Sequence, residues 1–147
     1  MILISHRGNI TGPNPKFENK PEYLIEASKA GYDVELDLWI IKGKLFLGHD
    51  KPQYKINEKM LLDESHFGDI WLHCKNIEAL EFSRNKYNCF WHQSDKFVFT
   101  SDGHMWAYPS KQAYRHAINV LPEINGLTKK DLKNVKGICS DYIERYR

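Results

Sequence analysis

Gly31-Tyr32-Asp33-Val34-Glu35-Leu36-Asp37-Leu38-Trp39-Ile40-Ile41 is the stretch whose reading decides the fold. Over residues 33–41 it reads as a strand. Val34, Leu36 and Leu38 then share one face, and the carboxylates of Glu35 and Asp37 share the other, about 6–7 Å apart along the chain. On its N-terminal side, Ile2-Leu3-Ile4 leads into Ser5-His6-Arg7-Gly8; on its C-terminal side, Leu45-Phe46-Leu47 leads into Gly48-His49-Asp50. Each apolar run delivers charged or titratable residues where the backbone leaves the core. Active sites of α/β proteins form at such strand ends.

Further strand candidates are residues 2–5, 44–48, 69–74, 88–92, 97–100, 117–121 and 137–140, most of them short apolar runs suited to strands buried on both faces. Asn19-Lys20-Pro21-Glu22 opens a helix with Pro and Glu in its first turn, an apolar stripe through Tyr23, Ala27 and Ala30, and Gly31 to end it. Lys75-Asn76 opens a second over Ile77 to Phe82, and Lys129 to Asn134 reads as a short third with Thr128 as its N-cap. Strands and helices alternate, which favours a mainly parallel sheet or barrel. Ile41-Lys42-Gly43-Lys44-Leu45 and Thr100-Ser101-Asp102-Gly103-His104-Met105-Trp106 instead read as hairpin turns. No repeat, low-complexity tract or linker divides the 147 residues, so they form one domain, 1–147.

The 21 basic and 19 acidic residues are interspersed and give a formal charge of +2, so no field strong enough to select nucleic acid follows. No segment approaches ~18 uninterrupted apolar residues and the N-terminus lacks a basic region, so the expectation is a cytoplasmic chain without a membrane span. Cys74, Cys89 and Cys139 fall in strand candidates without C-x-x-C spacing and read as buried, reduced thiols.

An isolated Glu-x-Asp more often caps a helix or pairs with lysine, but two carboxylates facing a barrel mouth or sheet crevice repel unless a cation or basic groups stand beside them. Paired hard oxygen ligands suit Mg²⁺ or Ca²⁺. His6 and His49 are candidates for general acid and base, since imidazole titrates near neutral pH. Arg7 offers a planar fork for a phosphate oxygen, and Lys75, closing Leu72-His73-Cys74-Lys75, a point charge at another strand end. Two histidines, two cations and a carboxylate pair make a set suited to phosphoryl transfer.

The order His6-Arg7-Gly8, Glu18-Asn19 before a helix, Gly31 to Asp37, Lys42-Gly43-Lys44 and His49-Asp50 resembles the glycerophosphodiester phosphodiesterase family, of the phosphatidylinositol-specific phospholipase C-like TIM-barrel superfamily. Five motifs recur in order over residues 2–52. Later, Ile70 to Lys75 looks like that family's strand ending in acid-x-Lys, and Gly137 to Tyr142 like its last strand. The implied fold is α/β: a compact, reduced TIM-barrel-like fold with mainly parallel strands, complete at both ends, some helices being shortened or lost because the generic barrel needs ~200 residues or more.

The resemblance implies that His6 and His49 are the catalytic acid and base, that Glu35 and Asp37 bind a divalent cation, and that Arg7 and Lys75 hold the phosphate. The implied reaction is attack on phosphorus by a neighbouring substrate hydroxyl, giving a cyclic phosphodiester that water then opens or that is released, as a lyase would release it. His73 stands where the family has an acidic metal ligand, and Lys20 where it has threonine. The third ligand is then His73, Glu123 at the end of a later strand, or water. The expected cofactor is Mg²⁺ or Ca²⁺, with Mn²⁺ a further candidate. The expected partner is a small soluble phosphodiester, and the alternative is a catalytically silent phosphate-binding module. His92 and Gln93 end the Cys89-Phe90-Trp91 run as substrate-contact or supporting residues. Trp91, Trp106 and Tyr108 are core or pocket-wall aromatics, and His66, His104 and His116 read as surface residues.

Overall fold

The computed structural model describes residues 1–62 and 69–147. In chain order the elements are β1 (Ile2–His6), α1 (Pro21–Lys29), β2 (Asp33–Ile41), β3 (Lys44–Leu47), β4 (Tyr54–Ile56), α2 (Glu58–Leu62), β5 (Ile70–Cys74), α3 (Ile77–Ser83), β6 (Cys89–Phe90), β7 (Phe97–Phe99), β8 (Met105–Ala107), β9 (Ala117–Val120) and β10 (Gly137–Ser140). Short 3-10 turns lie at Pro122–Asn125 and Ile143–Tyr146. His66 lies outside the described residues.

The strands form one mixed sheet curled into a half-barrel. Its middle is parallel, running β6, β5, β2, β1, β10, β9, β8 from side to side. Antiparallel hairpins extend it: β3 folds back on the C-terminal half of β2 and carries β4, and β7 pairs with β8. Both turns read as hairpins from sequence are therefore reversals.

The expected TIM-barrel-like α/β fold is overturned. A TIM barrel follows each strand with a helix, whereas the described residues hold three helices, of nine, five and seven residues, and more strand than helix. The cause lies in the connections. A parallel crossover through a helix needs about a dozen residues or more, and the segment 108–116 between β8 and β9 is shorter than that. The longer segment 121–136 is broken by left-handed backbone at Leu121 and Gly126. The helix expected from Lys129 to Asn134 is a run of turns. There the Thr128 N–H and hydroxyl both donate to Asp131 Oδ2, at 2.8 and 2.6 Å, and the exposed lysines around them leave Leu132 and Val135 to be buried. β4 and α2, short and half-exposed, carry too weak a periodicity to stand out in the sequence.

Strand alternation sorts the side chains. Val34, Leu36 and Leu38 of β2 and Leu72 and Cys74 of β5 pack outward against Leu24 and Ala27 of α1 and Ala79 of α3. Ile4, Trp71, Phe90, Trp106, Ile118, Val120 and Cys139 fill the inside of the curl. A third cluster, Tyr32, Leu132, Val135, Ile138, Ile143 and Tyr146, closes the sheet's other flank. Each leucine-sized side chain buried this way contributes about 1.5–3 kcal/mol. The three cysteines are free and buried, as their strand positions suggest.

Asn76 joins sheet to helix. Its Oδ1 accepts from the Ala79 N–H at 3.2 Å, capping α3, and from the Ile40 N–H at 3.2 Å, while its Nδ2 donates to the Ile40 carbonyl at 2.7 Å. One side chain thereby stands in for the strand that β2 lacks beyond the end of β5. Asn76→Ala should lower the unfolding free energy by roughly 1–3 kcal/mol, through a lost cap and two unpaired backbone groups. Asn76→Asp, which keeps the acceptor but cannot donate, should fall between. Urea titration followed by far-UV circular dichroism reads both.

Candidate functional site

The alternation that points Ile4 inward also points His6 inward, two residues nearer the end of β1. Glu35 and Asp37 of β2, Trp71 and His73 of β5, Trp106 and Tyr108 at β8, and Cys139 and Asp141 at β10 follow the same rule. Apolar side chains form the floor and polar ones the layer above it. That layer opens at the C-terminal ends of the parallel strands into a cavity of about 410 Å³, lined on one side by His6, Arg7, Glu35, His49, His73 and Lys75.

Register sets the polar neighbours. β1 pairs His6 with Glu35, and β5 pairs His73 with Asp37. Asp37 is fully buried, and four residues converge on it: Arg7 Nε at 3.1 Å and Asn19 Nδ2 at 2.8 Å on Oδ2, His73 Nδ1 at 3.0 Å and Lys75 Nζ at 3.5 Å on Oδ1. Burial alone would push its pKa up, yet the His73 hydrogen bond and the Arg7 and Lys75 charges hold it far below the usual carboxylate range. Glu35 is less compensated. Its Oε2 lies 4.0 Å from His6 Nε2 and 3.3 Å from the Arg7 N–H, and its Oε1 lies 3.8 Å from His73 Nδ1. Burial and the neighbouring Asp37 charge raise its pKa.

Ligand atoms of Glu35, Asp37 and His73 all lie within 4.8 Å of one another, so this buried group can hold a metal ion. The His73 ring is held by stacking on Phe90, with centroids 4.9 Å apart, and its Nε2 is buried without a hydrogen-bond partner. Glu123 does not complete the group: its Oε1 accepts from Ser140 Oγ at 2.9 Å and from the Asp141 N–H at 3.0 Å, supporting the end of β10 from behind.

His6 Nδ1 lies 2.7 Å from Asp141 Oδ1, which also accepts from Asn9 Nδ2 at 2.8 Å. Burial lowers the His6 pKa, but the Asp141 hydrogen bond and the Glu35 charge outweigh it and leave the imidazole above its ordinary value. His49 sits on the rim, half-exposed, with Nδ1 2.7 Å from Asp50 Oδ1. Partial burial and the Arg7 charge lower its pKa. Gly48, at φ +146°, makes the bend that puts His49 there: its N–H donates to the Asp37 carbonyl, its carbonyl accepts from Trp39 Nε1, and a Cβ would stand 2.2 Å from the Lys51 carbonyl oxygen.

All seven residues singled out for chemistry therefore meet: His6, Arg7, Glu35, His49, His73 and Lys75 line the cavity, and Asp37 lies buried beneath their charges. His92, Gln93, Trp106 and Tyr108 line it too, whereas Trp91 packs on the outer core, half-buried His104 lies against Trp71, and His116 is exposed. Sequence reasoning gave no role to Asp141, Asn19 or Glu18. Asp141 follows β10 directly, the position that marked the others. Asn19 adopts φ +63°, which Asn tolerates better than most residues. From there its Oδ1 accepts from the Asp37 N–H at 2.9 Å, and Glu18 accepts from Arg7 Nη1 at 3.3 Å. Among the described residues no helix is long and apolar enough to cross a membrane. No family model, curated protein or solved structure matches this chain.

Proposed function

We propose that the protein is a metal-dependent phosphodiesterase that cleaves a small phosphodiester by histidine acid–base catalysis, as the resemblance of residues 2–52 to glycerophosphodiester phosphodiesterases implies. The observation that carries this reading is the convergence of two histidines, two cations and a buried carboxylate pair on one cavity at the strand ends. The bound cation, Mg²⁺ or Ca²⁺, would be held by Glu35, Asp37 and His73 and would withdraw charge from the phosphoryl oxygens. The imidazole ligand extends the range toward Mn²⁺.

Arg7 and Lys75 hold non-bridging oxygens of the diester, each positioned in advance by Asp37. The two imidazoles are tuned in opposite directions, and such divergence marks an acid and a base. His49, biased to the neutral form, takes the proton of a substrate hydroxyl beside the phosphate. That oxygen bonds to phosphorus, the bond to the leaving alcohol breaks, and His6, biased to the charged form and steadied by Asp141, protonates the departing oxygen. The product is a cyclic phosphodiester, opened by water in the reverse sense or released.

The second reading is a silent phosphate-binding module, favoured by one observation: Arg7, Lys75 and His73 already neutralise Asp37, so the polar layer is balanced without turnover. Assay of bis-(p-nitrophenyl) phosphate and glycerophosphodiesters with a divalent-metal screen separates the two. Metal-dependent release of alcohol establishes the enzyme, and anion binding without turnover establishes the module.

The two carboxylates should respond differently to neutralisation. Asp37→Asn strands Arg7 and Lys75 in a buried setting and should cost on the order of 3–5 kcal/mol in the metal-free protein. Glu35→Gln removes a charge that burial already disfavours and should leave metal-free stability unchanged or raised. Both should abolish Mg²⁺ binding by calorimetry. In the unsubstituted protein, Mg²⁺ affinity should fall with pH starting above the ordinary carboxylate range, because Glu35 takes up a proton there. Asp37, charged down to far lower pH, keeps its stabilising ion pairs until strong acid.

His6→Ala and His49→Ala should each lower kcat by ~10²–10⁴-fold with smaller changes in KM. Asp141→Asn should lower kcat less than His6→Ala and should add little in the double variant, since Asp141 acts through His6. Steady-state kinetics on a diester with a poor leaving group, which needs the acid, give the clearest reading. A His49 variant within a few-fold of the parent would remove the rim histidine from the reaction.

A further inference from the structure

The cavity has two unlike walls. Opposite the charged residues stand Tyr108, Pro109, Val120 and Leu121, with Phe90 and Trp106 beneath. From His73 the aromatic surface is continuous, Phe90 stacking on its ring and Trp106 lying 4.5 Å from Phe90 between centroids. A ligand group attached to a phosphate on Arg7 and Lys75 must meet this wall.

We infer that this wall is the alcohol subsite of the proposed phosphodiesterase and that it selects a compact, uncharged, apolar or aromatic alcohol group over a cationic amino-alcohol. The inference rests on the phosphodiester reading of the opposite wall. Three observations carry it. The apolar wall bears no carboxylate; Glu35, on the charged side, is the acid among the cavity-lining residues. Of the ring faces a quaternary ammonium would need, one of Phe90 is covered by His73 at 12° between planes and one of Tyr108 by His92 at 14°. The cavity volume of about 410 Å³ falls in the lower part of the usual range for small-molecule sites, ~300–1,000 Å³, room for a phosphate with one ring-sized substituent.

Leu121 is the fourth sign. It is held in left-handed backbone, φ +44°, between the end of β9 and the Pro122–Asn125 turn, its N–H donating to the Cys139 carbonyl at 2.7 Å. A leucine is more costly in that conformation than Asp or Asn. Leucine nevertheless lines the cavity there, where its side chain offers apolar contact.

The test compares methyl phosphate, benzyl phosphate and phosphocholine by calorimetry with Mg²⁺ present, in the parent and in Leu121→Asp. The substitution suits the backbone, so folding should survive it; Val120→Asp, which places the charge one residue earlier, is the second variant. Benzyl phosphate should bind roughly tenfold or more tighter than methyl phosphate, and phosphocholine no tighter than methyl phosphate. In either Asp variant the benzyl-to-methyl ratio should fall toward one and the phosphocholine-to-methyl ratio should rise. Equal binding of all three by the parent, or ratios unmoved in both variants, overturns the subsite while leaving the phosphodiesterase reading to its own turnover assay. Failure of all three to bind, together with no turnover of any diester, overturns both.

Discussion

A single buried carboxylate organises this molecule. Asp37 has no exposure to solvent, and its charge is sustained by Arg7 from the end of β1, Asn19 from the entry to α1, and His73 and Lys75 from β5. An isolated ionised carboxylate in such a place would cost far more than a small domain's whole stability. The network therefore constrains the strands as strongly as the backbone ladder does: shift β5 by one residue against β2 and His73 and Lys75 turn outward together. Three of the groups that keep Asp37 charged, Arg7, His73 and Lys75, also face the cavity, so holding the fold in register and placing two cations at the cavity are one arrangement.

Glu35 shows the other half of that economy. Two residues from Asp37 and on the same face, it is approached by two imidazoles, His6 at 4.0 Å and His73 at 3.8 Å, while burial together with its neighbour disfavours its charge. Glu35, the less compensated of the two carboxylates, stands where the three ligand atoms converge. A metal ion held there would favour the charged form of Glu35.

Much of the site was legible because strand alternation is a strict rule. Once residues 33–41 are a strand, Val34, Leu36 and Leu38 must face away from Glu35 and Asp37, and the structure has them in the outer core. His6, Lys75 and His49 could be placed from the apolar runs before them. What alternation cannot convey is how far connections let a sheet close. The resemblance suggested a barrel with helices between strands, but left-handed backbone at Leu121 and Gly126 and the short 108–116 segment leave turns there and a curled sheet in place of the barrel. Glu123 ended a strand like the others, and its carboxylate turned out to face the back of β10, because the chain reverses at Leu121 before reaching it. Asp141 was missed although it follows a strand, since its partner His6 lies at the other end of the chain and no local pattern links them.

That last pairing has a kinetic meaning. β1 is hydrogen-bonded on one side to β2, nearby in the chain, and on the other to β10, Ile2 facing Gly137 across 135 positions of sequence. Closing so long a loop is entropically expensive and comes late in folding, as high contact order implies. On a ribosome, Glu35, Asp37, His73 and Lys75 can be gathered as soon as β5 has docked on β2, long before β10 exists. His6 gains Asp141 only when β10 slots beside β1. A nascent chain would thus own its cavity charges first and acquire a fully oriented histidine last, at the step that also seals its central strand.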